Sequence, residues 1–333
     1  MTHSDSNMLQ YFTVVGVGRS GTSLLMTALD SHPQLAMPPE TQFVWRHVVK
    51  YPGATVQETR ARLACETNFA RLETGVDELL EPFLSGRQPF SNAAVYRRIM
   101  ELWAKRTGVR RIGDKSPKNI EYLPVIHRLF PDARVIHIIR DPRDVYLSRT
   151  KAKWCAGRPR VLQTLAYRAQ FDLARRLGPK LFGANYLEVH YEDLVFNPAK
   201  ELSRICRLLG VPFDVRMLDR GNSARTHVFA EELDWKQEVL GPLLTANYDK
   251  WHSELSPADV AYIEDSCHTA FRDGRYAPAR LGKLGYGGIR GVWLRAQMNI
   301  LRAAYTAWLG HRNRTAIRRI GTSAPVERAR SAA

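Results

Sequence analysis

The chain has 333 residues, 44% of them hydrophobic and 25% charged, an ordinary composition for a soluble globular protein and enough chain for one large α/β domain or two smaller ones. Net charge is +16, but residues 275–333 hold twelve Lys/Arg against one acid, Glu327; that segment is +11 and leaves only +5 for the first 274 residues. Cys65, Cys155, Cys206 and Cys267 lie far apart, with no Cys-x-x-Cys and no histidine at metal spacing, which argues against a disulfide framework or structural zinc and fits a reducing cytosol.

Met1–Gln10 is polar and predicts a flexible lead into the first strand, with no room for a signal peptide or spanning helix, so a cytoplasmic location is expected. Tyr11–Val15 is an apolar, β-branched run that breaks into a small-residue turn, Gly16–Ser23, and resumes with helical spacing at Leu24, Leu25, Ala28 and Leu29. A strand, glycine loop and helix in that order make an anion cradle, in which Ser20, Gly21, Thr22 and Ser23 offer backbone N–H groups and hydroxyls. The Walker A pattern requires a lysine where Thr22 stands, and Arg19 is the loop's one cation.

His32-Pro33 marks a turn, and Met37-Pro38-Pro39-Glu40-Thr41 predicts an extended connector that brings Glu40 close behind the loop. Residues 42–107 read as a helical insertion in pieces, of the kind that shapes a substrate cleft. A short strand is expected at Val109–Gly113, ending at Asp114-Lys115-Ser116-Pro117, then a helix over Asn119–Phe130. Ala133–Ile139 predicts a buried parallel strand running into Arg140-Asp141-Pro142-Arg143-Asp144. Helices at Asp144–Lys153 and Val161–Leu177, a strand at Tyr186–His190 leading to Tyr191, and a helix over Pro198–Leu209 complete the alternation. This order predicts an α/β domain with a central parallel sheet, with ligands beyond the strands' C-terminal ends.

Pro242–Trp251 and Pro257–Phe271 are expected to be helical. Residues 289–309 place Ile289, Val292, Trp293, Ala296 and Ile300 on one helical face with Arg295 and Arg302 opposite, and Gly321–Ala333 reads as a disordered tail. The basic helix has two readings: a helix packed on the domain with its arginines in water, or a peripheral contact with an anionic membrane through 289–320, at the inner membrane surface. No nucleic-acid partner is expected, because no reading motif is present. Nothing in the pattern specifies an oligomer.

A magnesium phosphotransferase of the P-loop class needs an acid directly after the apolar strand, whereas here Arg140 comes first and favours two-pronged recognition of an anion. Together, Arg19-Ser-Gly-Thr-Ser and Arg140-Asp-Pro-Arg-Asp-Val-Tyr-Leu-Ser148 resemble the paired signatures of sulfotransferases that use 3′-phosphoadenosine 5′-phosphosulfate (PAPS). His32-Pro33 and Glu40-Thr41 extend the resemblance toward the branch of tyrosylprotein sulfotransferases and many bacterial members, over roughly residues 11–250.

The resemblance implies a P-loop-like three-layer fold, taken over 11–274, while the charge and helical spacing of the tail predict a basic helical extension over 275–320. It implies that the loop, with Arg19, holds the 5′-phosphosulfate and that Arg140 and Ser148 hold the 3′-phosphate. Glu40 is the implied general base and Lys115 the lysine near the transferring group, with Tyr191 beside the nucleotide and Lys250 at the phosphate. A second basic residue, four past Ser148, is missing: Ala152 stands there between Lys151 and Lys153. The implied acceptor is a hydroxyl of a carbohydrate, lipid, natural product or tyrosine, with PAPS as co-substrate and no metal required.

Several assignments have rivals. Lys115 can instead pair with Asp114 or another acid, His32 is the other candidate base, and His137 reads as a core histidine. The competing functions are a nucleotide kinase or NTPase on the same fold, and a membrane-associated module that only holds an anion.

Overall fold

The computed structural model describes residues 9–155, 157–219, 248–279 and 289–321. Expectations that fall on residues 1–8, 242–247, 280–288 and 322–333 lie outside them. The central strand is β1 (Gln10–Gly16), buried from Tyr11 onward because both of its faces are covered. It pairs in parallel with β3 (Arg111–Lys115) on one side and β4 (Arg134–Ile139) on the other. A two-residue strand, β2 (Leu35–Ala36), and β5 (Tyr186–His190) flank them, giving a five-stranded parallel sheet in the order β2-β3-β1-β4-β5. Val14 lies opposite Lys115 and Gly16 opposite Ile138, so three strand ends converge where the glycine loop leaves the sheet.

Side chains alternate across the sheet. Tyr11, Val15 and Val135 enter one core with α5 (Asn92–Thr107), α6 (Leu123–Leu129) and α8 (Arg160–Phe182). Phe12, Val14, Ile136 and Ile138 enter the other with α1 (Thr22–Asp30) and α10 (Pro198–Leu209). This is the P-loop-like three-layer α/β arrangement. Helix ends follow local chemistry: Ser91 Oγ caps α5 by accepting the Ala94 N–H at 3.1 Å, and Gly210, at φ 67°, ends α10.

Some boundaries differ from the sequence reading. The strand expected at Val109–Gly113 runs two residues later, so Asp114 and Lys115 are the end of β3 and inherit its burial. The helix expected over Asn119–Phe130 is a 3₁₀ segment, Pro117–Tyr122, followed by α6. Between residues 42 and 107 the chain forms a π-type turn (Val44–Val49), then α2 (Val56–Ala64), α3 (Thr67–Ala70), α4 (Val76–Leu84) and α5. Helix α7 (Pro142–Thr150) follows β4, with Pro142 in its first turn where the missing N–H costs nothing. After α9 (Tyr191–Phe196) and α10, the described chain resumes with α11 (Trp251–Glu254) and α12 (Pro257–Ser266), and ends in a 33-residue helix, α13 (Ile289–Gly321).

Candidate active site

The loop between β1 and α1 is held in shape by backbone constraints. Ser20 N–H donates to the Val17 carbonyl at 3.0 Å, and Arg19 takes a left-handed conformation, φ 81°, that is costly for a residue with a Cβ. Gly21, at φ 94°, precedes α1, whose first turn has no side-chain cap and so presents backbone donors. A Cβ on Gly21 would lie 2.4 Å from the Tyr191 ring, so only glycine lets that ring pack under the loop. Ser20 is fully buried, and its hydroxyl has no hydrogen-bond partner among the described residues. An orphaned buried hydroxyl in an anion-type loop fits a ligand oxygen that completes it.

Arg140 stands at the end of β4, 5% exposed. Its Nη1 donates to the Arg19 carbonyl at 3.3 Å, and its guanidinium carbon lies 4.4 Å from the centre of the Tyr191 ring. Tyr167 donates its hydroxyl to the Arg140 carbonyl at 2.8 Å. Ser148, two turns along α7, accepts from Arg19 Nε at 2.9 Å, so the loop and the Arg140–Ser148 pair are in direct contact. The Asp144 carboxylate is 3.9 Å from Arg140 Nη2 and also accepts the N–H groups of Asp249 at 2.6 Å and Trp251 at 3.1 Å. That tether fixes the turn carrying Lys250. The turn therefore belongs to the Arg140 side, although Lys250 does not line the cavity described below.

On the β3 side, Lys115 is 2% exposed and forms an ion pair with Glu40, with Ser23 Oγ 3.5 Å from its Nζ. Its partner is therefore Glu40 and not Asp114. The second Glu40 oxygen accepts from Gln42 Nε2 at 2.9 Å, and Arg46 Nε donates to Gln42 Oε1 at 3.0 Å. Gln42 is itself left-handed, φ 54°, so both non-glycine residues with positive φ between Gln10 and Thr55 border this site.

Asp114 is fully buried. Burial raises its pKa to about 6, against hydrogen bonds from Tyr96 (3.0 Å), Asn119 (2.7 Å) and Ser116 (3.3 Å), with the nearby Glu40 charge adding to the rise. Burial, together with the Asp114 charge, also pushes the Tyr96 phenol well above its ordinary range.

Gly18, Arg19, Thr22, Ser23, Glu40 and Lys115 share the wall of one cavity of about 500 Å³. Arg140, Ser148 and Tyr191 adjoin the loop from behind. Other lining residues escaped the sequence reading, among them Gln42, Arg149 and Arg158. Arg149 is 8% exposed and immediately follows Ser148, a position that was itself the available signal. Lys151 instead points outward to an ion pair with Glu254, and Lys153 is exposed. His32 is excluded as a base by its place: its Nε2 contacts the Pro212 carbonyl at 2.8 Å and its Nδ1 accepts the Gln34 N–H at 3.0 Å. His137 is 1% exposed and bonded to the Tyr186 hydroxyl at 2.6 Å, as a core histidine should be.

Residues 12–215 match the family described as the sulfotransferase family. The chain is 24% identical to protein-tyrosine sulfotransferase A of Caenorhabditis elegans over 288 residues, covering 80% of this chain and 67% of that one. It is 25% identical to protein-tyrosine sulfotransferase 2 of Gallus gallus over 304 residues, covering 85% and 73%. Among solved structures, the sulfotransferase domain from the curacin biosynthetic pathway shares the fold, with a TM-score of 0.54 at 18% identity, over 88% of this chain and 99% of that chain.

Proposed function

Since the chain belongs to the sulfotransferase family, we propose that it moves a sulfuryl group from PAPS to the hydroxyl of an acceptor bound in the Glu40–Lys115 cavity. The observation that carries this reading is the continuity of the two anion grips. Arg19 alone touches Ser148 through its side chain and Arg140 through its carbonyl, while Ser23 on the same loop reaches Lys115.

PAPS supplies an activated sulfur–oxygen bond to a phosphate. The donors of the Ser20–Ser23 turn and the start of α1 hold the phosphosulfate end, and Arg140 with Ser148 holds the ribose phosphate by charge-assisted hydrogen bonds. Arg149, beside Ser148, adds a buried cation where Ala152 adds none. Tyr191 acts by packing: its ring supports the Arg140 guanidinium and the Gly21 turn. Lys250 approaches from the tethered turn.

Glu40 takes the proton of the acceptor hydroxyl as the new sulfur–oxygen bond forms and the bond to the leaving phosphate breaks. Gln42 and Arg46 fix the carboxylate's orientation. Lys115 stands between Glu40 and the loop, where it neutralises charge on the sulfuryl oxygens, a contribution of roughly 3–4 kcal/mol for a single donor in such a site. Trp45, Trp154 and Tyr305, with Arg71, Lys118 and Arg158, line much of the remaining wall, beside a single further acid, Glu121. They suit an acceptor that has a flat or apolar body and an anionic substituent near its hydroxyl.

The test is transfer from labelled PAPS to a panel of carbohydrate, lipid, phenolic and tyrosyl-peptide hydroxyls, with and without EDTA. Transfer that survives EDTA, together with binding of the desulfated nucleotide in calorimetry, is expected. ATP binding with no binding of that nucleotide, or transfer that strictly requires magnesium, would overturn the reading in favour of a kinase.

A further inference from the structure

Helix α13 packs on the domain through buried Met298, Leu309, Ala316 and Ile320, yet leaves a second apolar side uncovered. Three polar side chains join that inward side: Arg295 Nη1 lies 2.7 Å from Asp265, Arg302 Nε 3.4 Å from Asp172, and Tyr305 donates to Glu121 at 2.8 Å. Other large apolar side chains turn away. Ile289 is 90% exposed, Val292 57%, Trp293 64%, Ile300 70% and Trp308 48%, with alanines between them. Among the described side chains no charged one shares this side before residue 311, so the stripe runs for about 30 Å at 1.5 Å per residue. Beyond it, on the same side, come exposed His311, Arg314 and Arg318.

An apolar stripe this long on a surface marks a contact. Its charge says with what. Residues 289–321 contain seven arginines and no acid, so a second copy of the helix offers nothing to answer its arginines. An anionic bilayer answers both halves, with acyl chains for the tryptophans and isoleucine, and phosphates for the arginines. No helix among the described residues is long and apolar enough to cross a membrane, so the geometry is that of a helix lying in the interface.

We propose that α13 docks the enzyme on an anionic membrane surface, with the Ile289–Trp308 side in the headgroup boundary and Arg314 and Arg318 on lipid phosphates. Trp308 stacks on Tyr305 at 5.6 Å, and Tyr305 is part of the acceptor cavity wall, so docking sets that cavity at the edge of the lipid.

The experiment uses the full chain and vesicles of phosphatidylcholine alone or mixed with phosphatidylglycerol. Co-sedimentation with the mixed vesicles only, weakened by salt, is expected. Trp293→Glu with Ile300→Glu should abolish it, and Arg314→Gln with Arg318→Gln should weaken it on the order of thirty-fold. All four positions are exposed, and unchanged circular-dichroism melts establish that the variants fold; Trp293→Ala with Trp308→Ala serves if the acidic pair does not. Equal binding to neutral vesicles, binding that survives the substitutions, or a dimer in sedimentation velocity that the Trp293 variant dissociates, with no lipid binding, would overturn the proposal. None of these readouts depends on the donor or on turnover.

Discussion

Replacing Glu40 with Gln tests the base assignment and the Lys115 pair together. The amide keeps the shape and can still accept from Gln42, but it cannot take a proton, so kcat should fall by about 10²–10⁴. Stability should fall too, because Lys115 is 2% exposed and loses its anion. Breaking a buried pair on one side costs about 3–5 kcal/mol; with the Glu40 side chain 20% exposed and sharing water, the lower end applies, roughly 3 kcal/mol. At about 2 °C per kcal/mol for a chain of this size, the melting temperature drops by roughly 6 °C. Adding Lys115→Met removes the stranded cation and should restore most of the melting temperature while leaving turnover lost. The assays are labelled-PAPS turnover, calorimetry with the desulfated nucleotide and a thermal scan. A Glu40→Gln enzyme whose kcat stays within threefold of wild type, or whose nucleotide affinity falls in step with turnover, would refute the reasoning.

The other expectations concern the anion grips and the buried acid. Arg140→Ala should weaken nucleotides bearing a 3′-phosphate by about 10- to 100-fold, at roughly 1.5–3 kcal/mol for a hydrogen bond to a charged group, and leave those without it nearly unchanged; an equal loss for both contradicts the assignment. Gly21→Ala forces a left-handed alanine, about 1–2 kcal/mol, and a Cβ 2.4 Å from the Tyr191 ring, so nucleotide affinity should drop at least tenfold in a protein that still folds. Asp114 has a folded pKa of about 6, above the ordinary 3.8, so the folded state holds its proton more tightly than the unfolded one. The stability this group adds is fully present below about pH 4 and is lost as pH rises through 6, about 3 kcal/mol at 1.36 kcal/mol per unit. Urea midpoints of wild type minus Asp114→Asn should therefore fall between pH 4 and 7, and a constant difference would show that burial does not perturb this carboxyl.

Much of the sheet was legible because its strands are buried on both faces and its helices are punctuated. Tyr186–His190 and Pro198–Leu209 fall where the sequence places them, one by its apolar run and the other between Pro198 and Gly210. Leu35–Ala36 was missed, since two residues have no period to read. The Asn119–Phe130 segment was read as one helix although Pro124 sits in the first turn of a new one. At the site, residue types announced Arg140, the loop and Glu40, but the Glu40–Lys115 pairing joins residues 75 apart, and no local pattern encodes it. The amphipathic pattern of α13 was visible; its direction was not. The inward face carries buried Met298 and Leu309 beside Arg295 and Arg302, which pair with Asp265 and Asp172 far away in sequence, so the reading with arginines in water is corrected for those two.

Asp144 gives Arg140 a built-in competitor. The fold pins that carboxylate with two backbone N–H groups, so it stays 3.9 Å from the guanidinium and any incoming anion must share or displace it. A lone inorganic phosphate has one point of attachment with which to do so. Under the proposed function, a bisphosphorylated nucleotide seated on the loop would bring its second phosphate at high local concentration. On that reading, the resident acid is expected to act as a threshold that disfavours simple anions against ligands gripping at both ends.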